Sequence, residues 1–231
     1  VYPVFIGAQQ QVKIKTLDLN GNIHIQVREA QIGTLIGTSS GRIDTINIKG
    51  KNKIVRTKGT HCPYSYIGAS DSEAIGSRDL KTAIKTITFH RGSQMDVKGA
   101  KTGTGSSGGA LIGSCSTAIG RLNIARQANI NISELSGSSR TVAIGTSDGG
   151  IGSMSFAGKV KIKLTAGDMK TVIGRTFAKT VPTEILLFKS TADITVDSDR
   201  YFGTGIGDNS NLEGNPKLKR IVIEKGADIH I

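Results

Sequence analysis

Residues 143–164 read AIGTSDGGIGSMSFAGKVKIKL. Ile144 and Ile151 each precede a glycine, Met154 and Phe156 alternate with Ser153 and Ser155, and Ile162 and Leu164 alternate with Lys161 and Lys163. Alternation of period two marks a half-buried strand, because successive side chains point to opposite faces. The stretch therefore reads as short strands joined by Gly-containing steps, with no room for a helix.

The same unit recurs along the chain. Ile-Gly stands at Ile6, Ile32, Ile36, Ile67, Ile75, Ile112, Ile119, Ile144, Ile151, Ile173 and Ile206. Alternating triplets follow: LDL from Leu17, INI from Ile46, ITF from Ile87, LNI from Leu122, MSF from Met154, LLF from Leu186 and IVI from Ile221. Eight residues after the first position of each triplet comes another large apolar residue: Ile25, Ile54, Met95, Ile130, Ile162, Ile194 and Ile229. Successive copies are 29 to 41 residues apart. A constant offset beside variable connections predicts one corner of fixed length and loops that bulge outward without disturbing a stack. The expected fold is all-β: one domain spanning 1–231, a right-handed parallel β-helix (solenoid) of about seven rungs.

Period-two sorting places the triplets' outer positions inward and leaves Asp18, Asn47, Thr88, Asn123 and Ser155 as an outward polar column. The Ile-Gly segment supplies a third wall, Ile inward, with Gly permitting positive φ or close backbone packing. A left-handed hexapeptide helix fits less well, since paired Ile-Gly steps lie 4, 8, 7 and 7 residues apart rather than at multiples of six. A β-sandwich would explain the alternation but not the repeated offset.

The Ile-Gly and ITI-type pattern of residues 143–164 resembles the AIG-rich repeat regions of large bacterial surface proteins, which are read as right-handed β-helices in adhesins or carbohydrate-binding modules. The resemblance spans nearly the whole chain and implies an extracellular location on the bacterial surface. It brings no site residues with it, because the motif mainly encodes fold. The chain starts at Val1 and reads as a segment of a longer protein.

Composition agrees with a solenoid interior built from aliphatic residues: aromatics make up 4% of 231 residues, Trp is absent, and 30 glycines outnumber four prolines. The formal charge of +12 favours an anionic partner, although lysines also protect strand edges. There is no apolar run long enough to span a membrane. The side chains speak against nucleic acid, because single-strand readers need aromatics beside their cations. A stack of rungs can also self-associate end to end or side by side.

Catalytic and metal signatures are weak. His24, His61, His90 and His230 have no ligand spacing, and no cofactor is expected. Cys62 and Cys115 read as partly buried thiols. Asp197 with Asp199, and Asp71, Glu73 and Asp79, are the carboxylate groupings a polysaccharide lyase or glycoside hydrolase would need. KTGTGSSGGA from Lys101 lacks the lysine and helix of a phosphate loop.

The functional expectation is a non-enzymatic binding or stalk segment that contacts a glycan or anionic polysaccharide. The expected ligand-binding residues are Lys159, Lys161 and Lys163, on the solvent side of their strand, and the column Asp18, Asn47, Thr88, Asn123 and Ser155. Other lysines, among them Lys13, Lys15, Lys49, Lys51, Lys53, Lys81, Lys85, Lys217 and Lys219, are expected to stack into basic ribs. An ice-binding face would need threonine columns, and only Thr88 stands in the column identified.

Overall fold

The computed structural model describes residues 4–9, 12–28, 33–57, 64–70, 82–102, 109–115, 117–137, 140–167, 169, 171–176, 182–198, 204–209 and 218–231. Three parallel sheets form the walls of a solenoid, and no helix occurs among the described residues. The Ile-Gly wall stacks Val4–Gln9, Thr34–Ser39, Ser65–Ala69, Gly109–Ser114, Thr141–Thr146, Thr171–Thr176 and Thr204–Asn209. The second wall stacks Lys13–Leu19, Arg42–Ile48, Thr82–Phe89, Ala118–Ile124, Gly150–Phe156, Ile185–Phe188 and Ile221–Ile223. The third stacks Ile23–Val27, Lys51–Arg56, Gln94–Lys98, Asn129–Gly137, Lys159–Gly167, Asp193–Ser198 and Asp228–His230, with Lys101–Thr102 paired beside it.

Each wall stacks seven strands in register order, of which five are flanked on both sides, and Lys101–Thr102 is an eighth strand of the third sheet. About five turns thus carry a closed core, fewer than the seven full rungs expected, because the first and last strands are open on one side. Ile46 and Ile87 are fully buried, whereas Leu17 is half-buried and Ile221 is exposed at the ends of the same column.

The triplets define that column without interruption. Leu17, Ile46, Ile87, Leu122, Met154, Leu186 and Ile221 are register neighbours from the first strand to the last. A parallel column of Ile48, Phe89, Ile124, Phe156 and Phe188 lies two residues further on, and the Phe156 and Phe188 rings stack with centroids 5.0 Å apart. One hydrophobic cluster runs from Ala8 to Val196.

The recurrence of glycine after isoleucine has a backbone cause. Gly7, Gly37, Gly68, Gly113, Gly145, Gly174 and Gly207 are register neighbours, all with φ between 129° and 145°. A Cβ on Gly145 would lie 1.9 Å from the carbonyl oxygen of Gly174, and the glycines from Gly7 to Gly174 face the same obstruction. Glycine is needed both for the torsion angle and for the space. Ile32 and Ile75 lie outside the described residues, and Ile119 and Ile151 belong to the second wall.

The fixed corner is corrected by the register. Met95, Ile130, Ile194 and Ile229 share a column with Ile23, Asn52 and Val160, whereas Ile25, Ile54 and Ile162 align with Val97, Ile132 and Val196. The corner therefore has two lengths that differ by two residues. The longer form closes a turn, with the N–H groups of Ser93, Ala128, Ala192 and Ala227 donating to the carbonyls of His90, Ala125, Lys189 and Glu224 at 2.8–3.1 Å. A two-residue change leaves every side chain on its original face, so both lengths serve one core.

The walls differ in what they show to solvent. Strands Thr34–Ser39, Ser65–Ala69, Gly109–Ser114, Thr141–Thr146 and Thr171–Thr176 are buried at every position. The second and third walls alternate instead, as in the exposed, buried sequence of Gln94–Lys98. Any ligand approaching a described flat face meets the second or third wall.

Candidate functional site

On the second wall, Asp18, Asn47, Thr88, Asn123 and Ser155 are register neighbours facing outward. Strand spacing of about 4.8 Å sets the steps of this column. The column turns apolar at Leu187 and Val222, so its polar part ends with Ser155. Its first members are oriented by hydrogen bonds. Asn47 Nδ2 donates to Asp18 Oδ1 at 2.7 Å, and Asn47 Oδ1 lies 2.8 Å from His90 Nε2. Since the amide nitrogen is committed to the carboxylate, Asn47 Oδ1 accepts and His90 Nε2 must carry the proton.

A second outward column was missed by the sequence reading. Thr16, Thr45, Thr86, Arg121 and Ser153 are register neighbours two residues before the first column. Three threonines therefore do align, although Arg121 and Asp18 interrupt the uncharged surface an ice-binding face would require. The signal lay in the residue preceding each triplet. Together the two columns give paired polar side chains on successive strands.

On the third wall Lys159, Lys161 and Lys163 are exposed, opposite the buried Val160, Ile162 and Leu164. They do not continue into ribs. Lys51 is followed along its column by Gln94, Asn129, Lys159, Asp193 and Asp228, and Lys53 by Asp96, Asn131, Lys161, Thr195 and His230. Lys159 Nζ is 2.6 Å from Asp193 Oδ2. Neutral and acidic residues separate the lysines, which relieves the repulsion that like charges on adjacent strands would suffer. Lys81 and Lys217 lie outside the described residues.

Lys13, Lys15 and Lys85, read as parts of separate ribs, converge instead. With Arg42 and Asp44 they line a concavity of about 600 Å³ at the start of the second wall, beside Ile14 and the buried Ile43. Lys85 Nζ approaches Asp44 Oδ1 at 2.7 Å.

The other candidates are dispersed. His24 and His230 occupy the first and last strands of the third wall, and no group of three metal-ligating side chains forms among the described residues. Cys115 is buried at the end of an Ile-Gly strand. Cys62, His61, Asp71, Glu73, Asp79, Asp199 and residues 103–108 of the glycine-rich stretch lie outside the described residues. Among the described residues no helix is long and apolar enough to cross a membrane.

A buried ion pair also escaped the sequence reading. Arg175 is fully buried and neighbours Asp208, with Nε 3.7 Å from Oδ2. Burial lowers the Arg175 pKa from its ordinary value, and the Asp208 charge offsets part of that effect. An arginine stays protonated throughout the working range, so its guanidinium is a fixed structural charge in this wall.

Comparison with protein-family models, curated proteins and solved structures gives no match.

Proposed function

We propose that this chain is a non-enzymatic, extracellular binding segment of a bacterial surface protein that contacts an acidic glycan along the outer face of its second wall. The observation that carries this reading is the pair of in-register polar columns, Thr16 to Ser153 and Asp18 to Ser155, on a solvent-facing wall. Hydroxyls, amides and a carboxylate at regular intervals are the groups that hydrogen-bond a sugar's hydroxyls along an extended chain. The net charge of +12 favours an anionic polymer over a neutral one. Placement on the bacterial surface rests on the resemblance of the repeat to adhesin regions.

The alternative is a β-helix lyase or hydrolase, which needs carboxylates converging in a groove. Asp44, Glu184 and Asp193 are each paired to a lysine instead, at 2.7, 2.9 and 2.6 Å. A glycan-array screen at low and physiological salt tests the proposal. Retention of acidic glycans that weakens with salt is expected, since exposed charges are screened beyond about 8 Å at physiological ionic strength. Equal retention of neutral glycans, or none of any kind, contradicts it. Release of shortened sugars from a bound polymer would favour the enzyme.

A further inference from the structure

We infer that the concavity at the start of the second wall is the subsite that takes the acidic groups of the glycan, and that its ligand is an oligosaccharide carrying more than one carboxylate or sulfate. This rests on the proposed glycan reading and adds where and how the charge is recognised.

Among the described strand pairings of the second and third walls, Lys13 beside Arg42 is the one place where two cationic side chains are direct neighbours. Elsewhere the strand neighbour of a lysine is neutral, acidic or a histidine, as with Lys51 beside Gln94, Lys161 beside Asn131 and Thr195, and Lys163 beside Asp197. Like charges on adjacent strands are destabilising. A bound anion turns that repulsion into a binding contribution.

Neighbouring residues extend the same chemistry. Lys15, Asp44 and Lys85 each follow a member of the register-matched set Ile14, Ile43 and Ile84, so four cations and one carboxylate surround the concavity. Lys15 and Lys85 are two strand steps apart, roughly 10 Å. One small anion cannot span that distance, whereas successive acidic sugars can. Half-buried Ile14 offers an apolar surface for the C–H face of a sugar ring, with Ile43 buried beside it, and Thr82 offers a hydroxyl. No aromatic ring lines the concavity, so a nucleic-acid base finds nothing to stack on. The smaller concavity of about 430 Å³ lined by Arg126 and Lys159 carries two cations instead of four, and Asp193 holds Lys159.

Asp44 has two opposed effects. It holds Lys85 but also repels an incoming anion, so its neutralisation should strengthen binding. The test is titration calorimetry of the chain with a heparin hexasaccharide, an oligoguluronate hexasaccharide, neutral maltohexaose and a short oligothymidylate. K13Q with R42Q is expected to weaken binding of at least one acidic hexasaccharide about tenfold at low salt. D44N should tighten it severalfold. These side chains are exposed or at the surface, and melting curves recorded alongside check that both variants stay folded. If affinity is unchanged by K13Q with R42Q but falls when Lys159, Lys161 and Lys163 become Gln, this subsite and the second-wall face are wrong while an acidic glycan remains the ligand. If no hexasaccharide binds, both fall. If oligothymidylate binds as tightly as the acidic sugars, the concavity selects charge alone and the sugar assignment is overturned.

Discussion

Arg175 and Asp208 occupy adjacent strands in a column whose other members are Ala8, Thr38, Ala69, Ser114 and Thr146. An ion pair thus replaces small residues where the Ile-Gly wall ends. Asp208 Oδ2 also accepts the Leu218 N–H at 2.8 Å, which ties this strand to the segment entering the last strand of the second wall. Such a pair fixes register, because a one-residue slip would leave the buried guanidinium beside Gly207 or Asn209.

Asp208→Asn keeps an oxygen for the Leu218 N–H but removes the charge facing Arg175. The expected loss is about 2–4 kcal/mol, somewhat below the roughly 3–5 kcal/mol of a fully buried pair because Asp208 is partly exposed. Arg175→Met combined with Asp208→Asn should lose less than the sum of the two single changes, as coupled neighbours do. Denaturant unfolding of the four proteins checks this. Additive losses would mean that the residues act separately.

The glycine column gives a graded series. Gly145→Ala meets both a φ of 143° and a carbonyl 1.9 Å from the new Cβ, and is expected to cost more than about 3 kcal/mol. Gly92→Ala has a φ of 74° but open space, and should cost about 1 kcal/mol. Gly207→Ala, whose nearest obstruction is Thr204 Cγ2 at 3.3 Å, should fall between them. Thermal melting ranks the three, and equal losses would show that torsion angle alone matters.

The two corner lengths lead to a deletion experiment. Removing Arg91 and Gly92 together would convert a long corner into a short one and leave Met95 and Val97 inward. Removing Gly92 alone would turn both side chains outward. The double deletion is expected to fold with a modest loss, and the single deletion to abolish cooperative melting.

Ile130 is fully buried between Met95 and Val160. Ile130→Asp would place a carboxylate there without a partner, at a cost of about 4 kcal/mol or more. Loss of the folded signal in circular dichroism is the expected result, and an unchanged melting temperature would put Ile130 outside the core.

Walls, faces and the main column were legible because each depends on local alternation: the residues from Leu17 to Ile221 could be aligned by their triplets alone. The offset of eight misled because Ile23 and Ile25 are both inward, so a corner shorter by two still presents an apolar residue at the counted position. Arg175 with Asp208, 33 residues apart, and Lys13 with Lys85, 72 apart, were not legible. Their proximity depends on register across connections of variable length, and nothing in the local pattern reports it. The outward threonines at positions 16, 45 and 86 were accessible in principle, one step outside each triplet.

The most direct test of the account is an amide chemical-shift footprint of the ¹⁵N-labelled chain titrated with an acidic hexasaccharide at low salt. The account expects changes concentrated on outward residues of the second wall, from Lys13, Arg42 and Lys85 along Thr45, Asn47 and Thr86, while the buried Ile-Gly wall is unaffected. Changes confined to Lys159, Lys161 and Lys163, or no saturable change at any residue, would contradict it.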